Sequence, residues 1–304
     1  MAEGDIKKGR IIRSVAGFYY VDTGEGAVYE CRPKGLFRKQ GKKPLTGDMV
    51  DITVTHEGDM EGQIEEIAER KSELVRPPVA NVDQALVIFA IRNPRINEGL
   101  LDRFLVWMES QDIPVVLCIN KMDLLEEDEK ESEALADRYR DIGYEVIETS
   151  AILGEGRDDI LKALSGRVTA VAGPSGVGKS SLINLIQDSV VMETGELMKH
   201  QESGRQTTRH SELIPVPDAD GYAGAGERTY IIDTPGFGTV DFSHIEAEEL
   251  GDFFPEIKRL SGECRFSGCA HINEPDCAVR DAIDEDRYGH YVQMYEELKS
   301  AKRY

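Results

Sequence analysis

The sequence predicts a multidomain chain: an N-terminal OB-like β-barrel over 1–72, an α/β domain over 73–242 and a helical metal-binding module over 243–304. Three observations carry this reading. Short strand-like segments separated by turn signals fill the first part of the chain. Apolar strand runs then alternate with helical patterns. Near the end, three cysteines and one histidine crowd into fourteen residues.

The barrel is read from RIIRSV, FYYVD, AVYECR, MVDITVT and GQIEEI, five β segments within residues 10–67. Five short strands in so short a span fit a small barrel, with an OB-fold the leading choice and an SH3-like barrel the alternative. The charge of this module opposes that of the whole. A formal net charge of −21 argues against a polyanionic partner. Yet residues 1–43 hold ten Lys/Arg against five Asp/Glu, and 32–43 (RPKGLFRKQGKK) hold six basic residues and no acid. That stretch is read as a basic loop.

RPPVANVD at 76–83 is read as a linker, because two prolines and a polar turn interrupt the pattern. Beyond it come ALVIFAI, the amphipathic EGLLDRFLVWMES with apolar Leu100, Leu101, Phe104, Leu105 and Met108, then PVVLCI, an acidic helix near 126–141, EVIET, a helix near 158–165, and VTAVA. Such alternation implies a parallel sheet covered by helices on both faces. The longest apolar run, ALVIFAI, is far short of the about 18 residues of a membrane span. MAEGDIKKGR lacks the apolar core of a signal peptide. No membrane association and a cytoplasmic location are expected, where clustered cysteines suggest metal rather than disulfide.

Gly173-Pro174-Ser175-Gly176-Val177-Gly178-Lys179-Ser180 matches G-x-x-x-x-G-K-[ST] between the strand VTAVA and the helical SSLINLIQ, with Ser181 following in the first turn. That is the context a phosphate loop requires. Its backbone N–H groups would cradle the β-phosphate and Lys179 would reach the β- and γ-oxygens. The Ser180 hydroxyl would ligate Mg²⁺ and the helix N-terminus would add its dipole.

Asn120-Lys121-Met122-Asp123 follows PVVLCI, which places it in a loop beyond a strand's carboxyl end, where open α/β sheets bind ligands. The Asp123 carboxylate can accept from guanine N1–H and the exocyclic amine together, whereas adenine would set a lone pair against one oxygen. Asp123 would thus select guanine, Asn120 would brace the loop and the Lys121 stem would cover the base. Thr149-Ser150-Ala151 directly follows the strand segment ending at Glu148 and resembles a second base-binding motif, with a backbone N–H for guanine O6 from Ser150 or Ala151. GTP and GDP are the ligands expected.

Tyr230-Ile-Ile-Asp233-Thr-Pro-Gly236 is an apolar strand ending in D-x-x-G. Asp233 would hold Mg²⁺ through water and the Gly236 N–H would sense the γ-phosphate. Between this strand and the phosphate loop lies GRQTTRHSELIPV, where either Thr207 or Thr208 would give Mg²⁺ its second hydroxyl.

The order along the chain is therefore NKMD, TSA, GPSGVGKS, TT, DTPG, whereas the ordinary order places the last three first. Domain termini often lie close together, so a circularly permuted chain can build the same pocket. The segment after Gly236 then runs straight into the C-terminal module. There Cys264, Cys269, His271 and Cys277 offer three thiolates and one imidazole, enough for a closed tetrahedral Zn²⁺ site with a structural role. The module has few apolar residues for a core of its own, so zinc would supply folding energy. Cys31 and Cys118 read as ordinary strand residues.

The permuted motif order, with CRPKGLFRK, RPPVANVDQ, GPSGVGKSSLIN, DTPGFG and ECRFSGCAHINEPDCAVR, resembles the ribosome small-subunit-dependent GTPase A family of bacterial assembly factors over nearly the whole chain. The resemblance implies a circularly permuted P-loop GTPase domain. It also implies GTP hydrolysis stimulated by the small ribosomal subunit late in its maturation, contact with rRNA, and a monomer. One departure stands out. The family usually carries His before the switch threonines, where this chain has Gln206. Gln206 can orient a water but cannot take up a proton near neutral pH, and His210 is a second candidate. Two rival functions stay open at this point: a GTPase acting through protein contacts without RNA binding, which the overall acidity favours, and a GTP-binding scaffold without turnover.

Overall fold

The computed structural model describes residues 5–24, 26–39, 41–74, 78–126, 131–187, 211–224, 227–233, 242 and 244–301. Five strands form the N-terminal barrel: β1 (Ile6–Val15), β2 (Phe18–Asp22), β3 (Val28–Pro33), β4 (Met49–His56) and β5 (Glu61–Ile67). They close in the order β1-β2-β3-β5-β4, with β3 and β5 parallel and the other pairs antiparallel. Alternation along β2 turns Tyr19 and Val21 inward, where they meet Ile11, Tyr29, Cys31, Val50, Ile52 and Ile64. The single parallel pair and the helix inserted after β3 make the barrel OB-like.

Two sequence readings are corrected here. The basic stretch 32–43 is not a plain loop: it contains the short helix α1 (Gly35–Lys39), because Phe37 buries its ring in the barrel core and Lys34 pairs with Glu65. The described part of the linker stretch, residues 78–83, is not solvated. Two short strands, β6 (Glu73–Leu74) and β7 (Val79–Ala80), pair antiparallel, and Val79, Ala80 and Val82 are buried. Ala80 N donates to Thr46 O at 2.9 Å, and the Asn81 amide donates to Gly47 O at 3.1 Å while its oxygen accepts from Lys71 N at 2.8 Å. The apolar side chains find cover and Asn81 satisfies barrel backbone, so a stretch with loop composition is held as part of the core.

The α/β elements follow in chain order: β8 (Gln84–Ala90), α2 (Glu98–Glu109), β9 (Val115–Asn120), α3 (Glu131–Ile142), β10 (Glu145–Glu148), α4 (Arg157–Leu164), β11 (Val168–Ala172), α5 (Lys179–Leu185), β12 (Leu213–Pro215), α6 (Pro217–Asp220) and β13 (Tyr230–Asp233). The C-terminal helices are α7 (Pro255–Ser261), preceded by a 3-10 segment at Ala247–Phe253, and α8 (Glu285–Ala301).

The chain divides into two compact units. One is built from 1–85, 157–172 and 179–236, the other from 86–156, 173–178 and 237–304. In the first, β11 and β13 run parallel and β12 joins β13 antiparallel. In the second, the strands run β10-β9-β8 with β9 and β10 parallel, and every residue of β9 is buried. Continuous apolar strands of this kind are what a sheet covered on both faces requires.

Within the second unit α2 buries Leu101, Phe104, Leu105, Val106 and Met108, and also the charged Asp102. Arg287 of α8, 2% exposed, answers it and binds Glu256 of α7 as well. Tyr139 of α3 donates to Asp102 at 2.8 Å and His290 Nδ1 lies 2.7 Å from its other oxygen. Removing one member of such a buried charge cluster costs about 3–5 kcal/mol, because the partner is left uncompensated. The expectation of a C-terminal module poor in core residues is also corrected. Ile245, Leu250, Phe254, Ile257, Val279, Tyr291, Met294 and Tyr295 form a buried cluster, completed by Val106 of α2. Among the described residues no helix is long and apolar enough to cross a membrane.

Candidate nucleotide site and metal centre

The nucleotide site is built on the carboxyl end of β9. Asn120, the last residue of that strand, is buried and uses both ends of its amide. Its Nδ2 donates to the Val177 carbonyl of the phosphate loop at 2.9 Å. Its Oδ1 accepts from the Thr149 hydroxyl at 3.0 Å and from Ala151 N at 3.3 Å. One side chain therefore fastens the glycine-rich loop to the Thr149-Ser150-Ala151 loop. The Ala151 N–H, one of the two candidates for guanine O6, is engaged by Asn120 here.

Lys121 adopts a left-handed backbone, φ 65°, which turns the chain out of the strand. Its ammonium donates to Gly176 O at 2.7 Å and to Asn93 O, so the side chain lies along the phosphate loop. Asn93 sits in the turn after β8 and was not singled out from sequence; its Asn-Pro dipeptide is the only signal that marked the turn. Asp123 is held by Ser150, whose hydroxyl donates to Oδ1 at 2.6 Å and accepts from Leu153 N at 3.2 Å. Ser150 is fully buried, so it fixes the direction of the Asp123 carboxylate.

The phosphate loop needs its glycines for two separate reasons. Gly173 and Gly178 both have positive φ, 141° and 95°. A side chain at Gly173 would meet the Ile88 carbonyl at 2.2 Å, and one at Gly178 would meet the Asn120 amide at 2.5 Å. Val177 is buried between them, whereas Ser175 and Gly176 are exposed. After Gly178 the chain enters α5, with Lys179, Ser180 and Ser181 half-buried in its first turn. Pro174 is likewise half-buried.

Asp233 ends β13 and is described through its backbone. Gln206, Thr207, Thr208, His210 and Gly236 lie outside the described residues. The buried thiol of Cys118 is pushed up to about 12 by burial, as is that of Cys31, which fits both as inert core residues.

The candidate metal site brings the four predicted ligands together. One ligand atom each from Cys264, Cys269, His271 and Cys277 lies within 4.8 Å of the others, which suits a tetrahedral ion with thiolate and imidazole donors. His271 turns Nδ1 toward the thiols, 3.6 Å from Cys264 Sγ and 3.5 Å from Cys277 Sγ. Burial lowers the pKa of its imidazole, the direction that favours the neutral form a metal ligand requires. Glu274, unnoticed in the sequence, caps the turn: its carboxylate accepts from Ala270 N at 2.9 Å and from Ile272 N and Asn273 N at 3.1 Å each. From α8, Tyr288 donates to His271 O and Tyr291 to Ala270 O, both at 2.7 Å.

Comparison with known proteins agrees with this geometry. The RsgA GTPase family model matches residues 67–243 and the RsgA N-terminal domain model matches residues 8–64. A small ribosomal subunit biogenesis GTPase RsgA from Agathobacter rectalis is 49% identical, over 97% of this chain and 99% of its own. One from Geobacillus thermodenitrificans is 47% identical, over 97% and 98%. Among solved structures, YloQ, described as a circularly permuted GTPase, superposes with a TM-score of 0.79 at 37% identity, covering 99% of this chain and 97% of that one. YjeQ from Thermotoga maritima superposes with a TM-score of 0.80 at 33% identity, covering 97% and 99%. With an OB-like barrel, nucleotide motifs in permuted order and a C-terminal Cys₃His cluster, the chain belongs to the RsgA family of GTP-hydrolysing, circularly permuted GTPases.

Proposed function

We propose that this protein hydrolyses GTP to GDP and phosphate when stimulated by the small ribosomal subunit, late in that subunit's maturation, and that it meets the subunit through rRNA. The relatives that cover nearly its full length are named as small ribosomal subunit biogenesis GTPases, and this is the observation that carries the reading. The modules divide as 1–72, 73–242 and 243–304. The protein works in the cytoplasm as a monomer.

In this reading Asp123, directed by Ser150, reads guanine, and Asn120 holds the base loop and phosphate loop in one arrangement. The loop Gly173–Gly178 and the first turn of α5, with Lys179, Ser180 and Ser181, cradle the phosphates. Mg²⁺, when bound, neutralises charge developing between the β- and γ-phosphates. Ser180, one of Thr207 and Thr208, and Asp233 through water are the residues to hold it, and Gly236 senses the γ-phosphate. Gln206, or His210 in its place, orients the attacking water. Zinc on Cys264, Cys269, His271 and Cys277 stabilises the C-terminal turn. The donor set and the lowered pKa of His271 support that assignment.

The barrel supplies the RNA contact. Its basic stretch opposes an acidic whole, and OB folds commonly bind oligonucleotides. GTP turnover measured with and without purified small ribosomal subunits tests the proposal. Stimulated turnover supports it. Turnover that ignores the subunit favours a GTPase acting through protein contacts, and no turnover in either case favours a GTP-binding scaffold.

A further inference from the structure

Asp22 closes β2 of the barrel, is 6% exposed, and is surrounded by donors. Arg228 Nη1 lies 3.3 and 3.1 Å from its two oxygens, the Tyr230 hydroxyl donates to Oδ2 at 2.9 Å, and Gly24 N donates to Oδ1 at 2.8 Å. Arg228 also donates to the Gly24 carbonyl. On β1, Arg10 is the register partner of Asp22 and sets its guanidinium 5.7 Å from the centre of the Tyr230 ring. Burial, then the charge of Asp22, pushes the Tyr230 phenol far above its ordinary range, so the hydroxyl stays a donor. These groups line a cavity of about 520 Å³. The barrel therefore meets β13 at this point through discrete hydrogen bonds from Arg228 and Tyr230 to Asp22.

A second grip lies at the other end of the β12–β13 hairpin. Leu213 pairs with Ile232, so the next residue back, Glu212, falls opposite Asp233. Glu212 bridges to Arg13 of β1, with its carboxylate 3.6 Å from Nη1, and the Thr46 hydroxyl donates to Ser211 O at 3.2 Å. The barrel thus holds both ends of a hairpin whose central strand is four residues long and ends at Asp233. Ladder bonds to β11 and β12 keep those residues in register, so a displacement at Tyr230 reaches Asp233.

We propose that the barrel positions the strand Tyr230–Asp233 for GTP hydrolysis, with Asp22 as the principal positioning residue, acting through Tyr230 and Arg228. This rests on the reading of Asp233 as part of the Mg²⁺ site and of the barrel as the surface that meets the small subunit. Binding at the barrel then alters the rate at the phosphate without any contact between partner and nucleotide. A shift of about 1 Å in a positioning group is enough to change a rate by about 10²-fold.

Tyr230→Phe removes one hydroxyl and keeps the ring, while Asp22→Asn keeps an oxygen acceptor and removes the charge. The full chain and both variants are compared in GTP KM and kcat, thermal melting, co-sedimentation with small subunits and subunit-stimulated turnover. In Tyr230→Phe, KM and co-sedimentation stay within about twofold of wild type while stimulated kcat falls about tenfold or more, and Asp22→Asn falls in the same direction. A merely structural role lowers melting without separating kcat from KM. Equal stimulation of wild type and both variants overturns the proposal, and so does loss of co-sedimentation in step with stimulation, which would make the cluster a docking element. If wild type is not stimulated at all, the subunit reading has failed, and Mg²⁺ titration of unstimulated turnover decides. A higher Mg²⁺ half-saturation in Tyr230→Phe supports positioning, and superimposable curves overturn it.

Discussion

Asn120 Nδ2 donates to the Val177 carbonyl at 2.9 Å, joining the end of β9 to the glycine-rich loop 57 residues further along the chain. The same amide accepts from Thr149 and Ala151 through its oxygen. In a permuted chain the two halves of the pocket are not linked in the usual order, and this side chain supplies a direct tie between them.

Asn120→Ala should therefore weaken GTP and GDP alike, since the tie does not touch the γ-phosphate. The buried Val177 carbonyl loses its donor, which costs about 1–3 kcal/mol, or roughly 5- to 150-fold in affinity. Titration with a fluorescent guanine nucleotide measures this. Wild-type affinity in the variant would remove the bracing role.

Asp123→Asn should shift preference from guanine toward xanthine nucleotides, because the xanthine C2 carbonyl presents an acceptor where guanine presents an amine. Competition between GTP and XTP reads the change directly. Because the Ser150 hydroxyl aims Asp123, Ser150→Ala should lower guanine affinity without reversing the preference.

About one equivalent of zinc should copurify, and Cys269→Ala should lose it. Tyr288 and Tyr291 hang the start of α8 on the carbonyls of His271 and Ala270, so loss of metal should speed amide exchange in that helix as well as in the cysteine turn. Fast exchange confined to the turn would show that α8 is held by the apolar cluster around Phe254 and Met294 alone.

The His290–Asp102 contact should make stability depend on pH. The hydrogen bond to Asp102 is the main cause that raises the His290 pKa above its ordinary 6.5; burial opposes it, and the charges of Asp102, Glu98 and Asp286 add to it. A raised folded pKa means the contribution is fully present below about 6.5 and is lost as pH rises through the folded value. The imidazole is partly solvated, so after screening the effect is under about 1 kcal/mol. Melting of wild type and His290→Gln from about pH 5.5 to 8.5 checks it: the gap between them should close as pH rises. A gap that widens with pH would contradict the sign.

Much of this molecule was legible in the sequence because its main signals are local. The five barrel segments appear as β1 to β5 with boundaries shifted by a few residues, since turn residues punctuate them. The candidate nucleotide residues stand out by their fixed types and spacing, and the structure brings Asn120, Lys121, Asp123, Ser150 and Ala151 to the glycine-rich loop or to one another. What was missed depends on partners distant in sequence. Phe37 and Val79 sit in segments of loop composition and are buried, Phe37 in the barrel core and Val79 where its strand pairs with Leu74 and Thr46. Asp102 falls inside an apolar helical stripe, and the partners that make its burial tolerable are distant in sequence: Tyr139, Arg287, 185 residues away, and His290. Val106 completes the core of a module that, read alone, looked too polar to have one.

GTP turnover with small ribosomal subunits across a salt series decides whether this acidic GTPase is switched on by an RNA-rich surface through local positive charge. Wild type is compared with a variant in which Arg38, Lys39, Lys42 and Lys43 are replaced by Ser. Each neutralised phosphate releases a counterion, so stimulation of wild type should fall steeply as salt rises. The fourfold variant should show a shallower slope and a lower stimulated rate, with basal turnover unchanged. Stimulation of the variant equal to wild type at every salt concentration would contradict the account and move the contact away from residues 32–43.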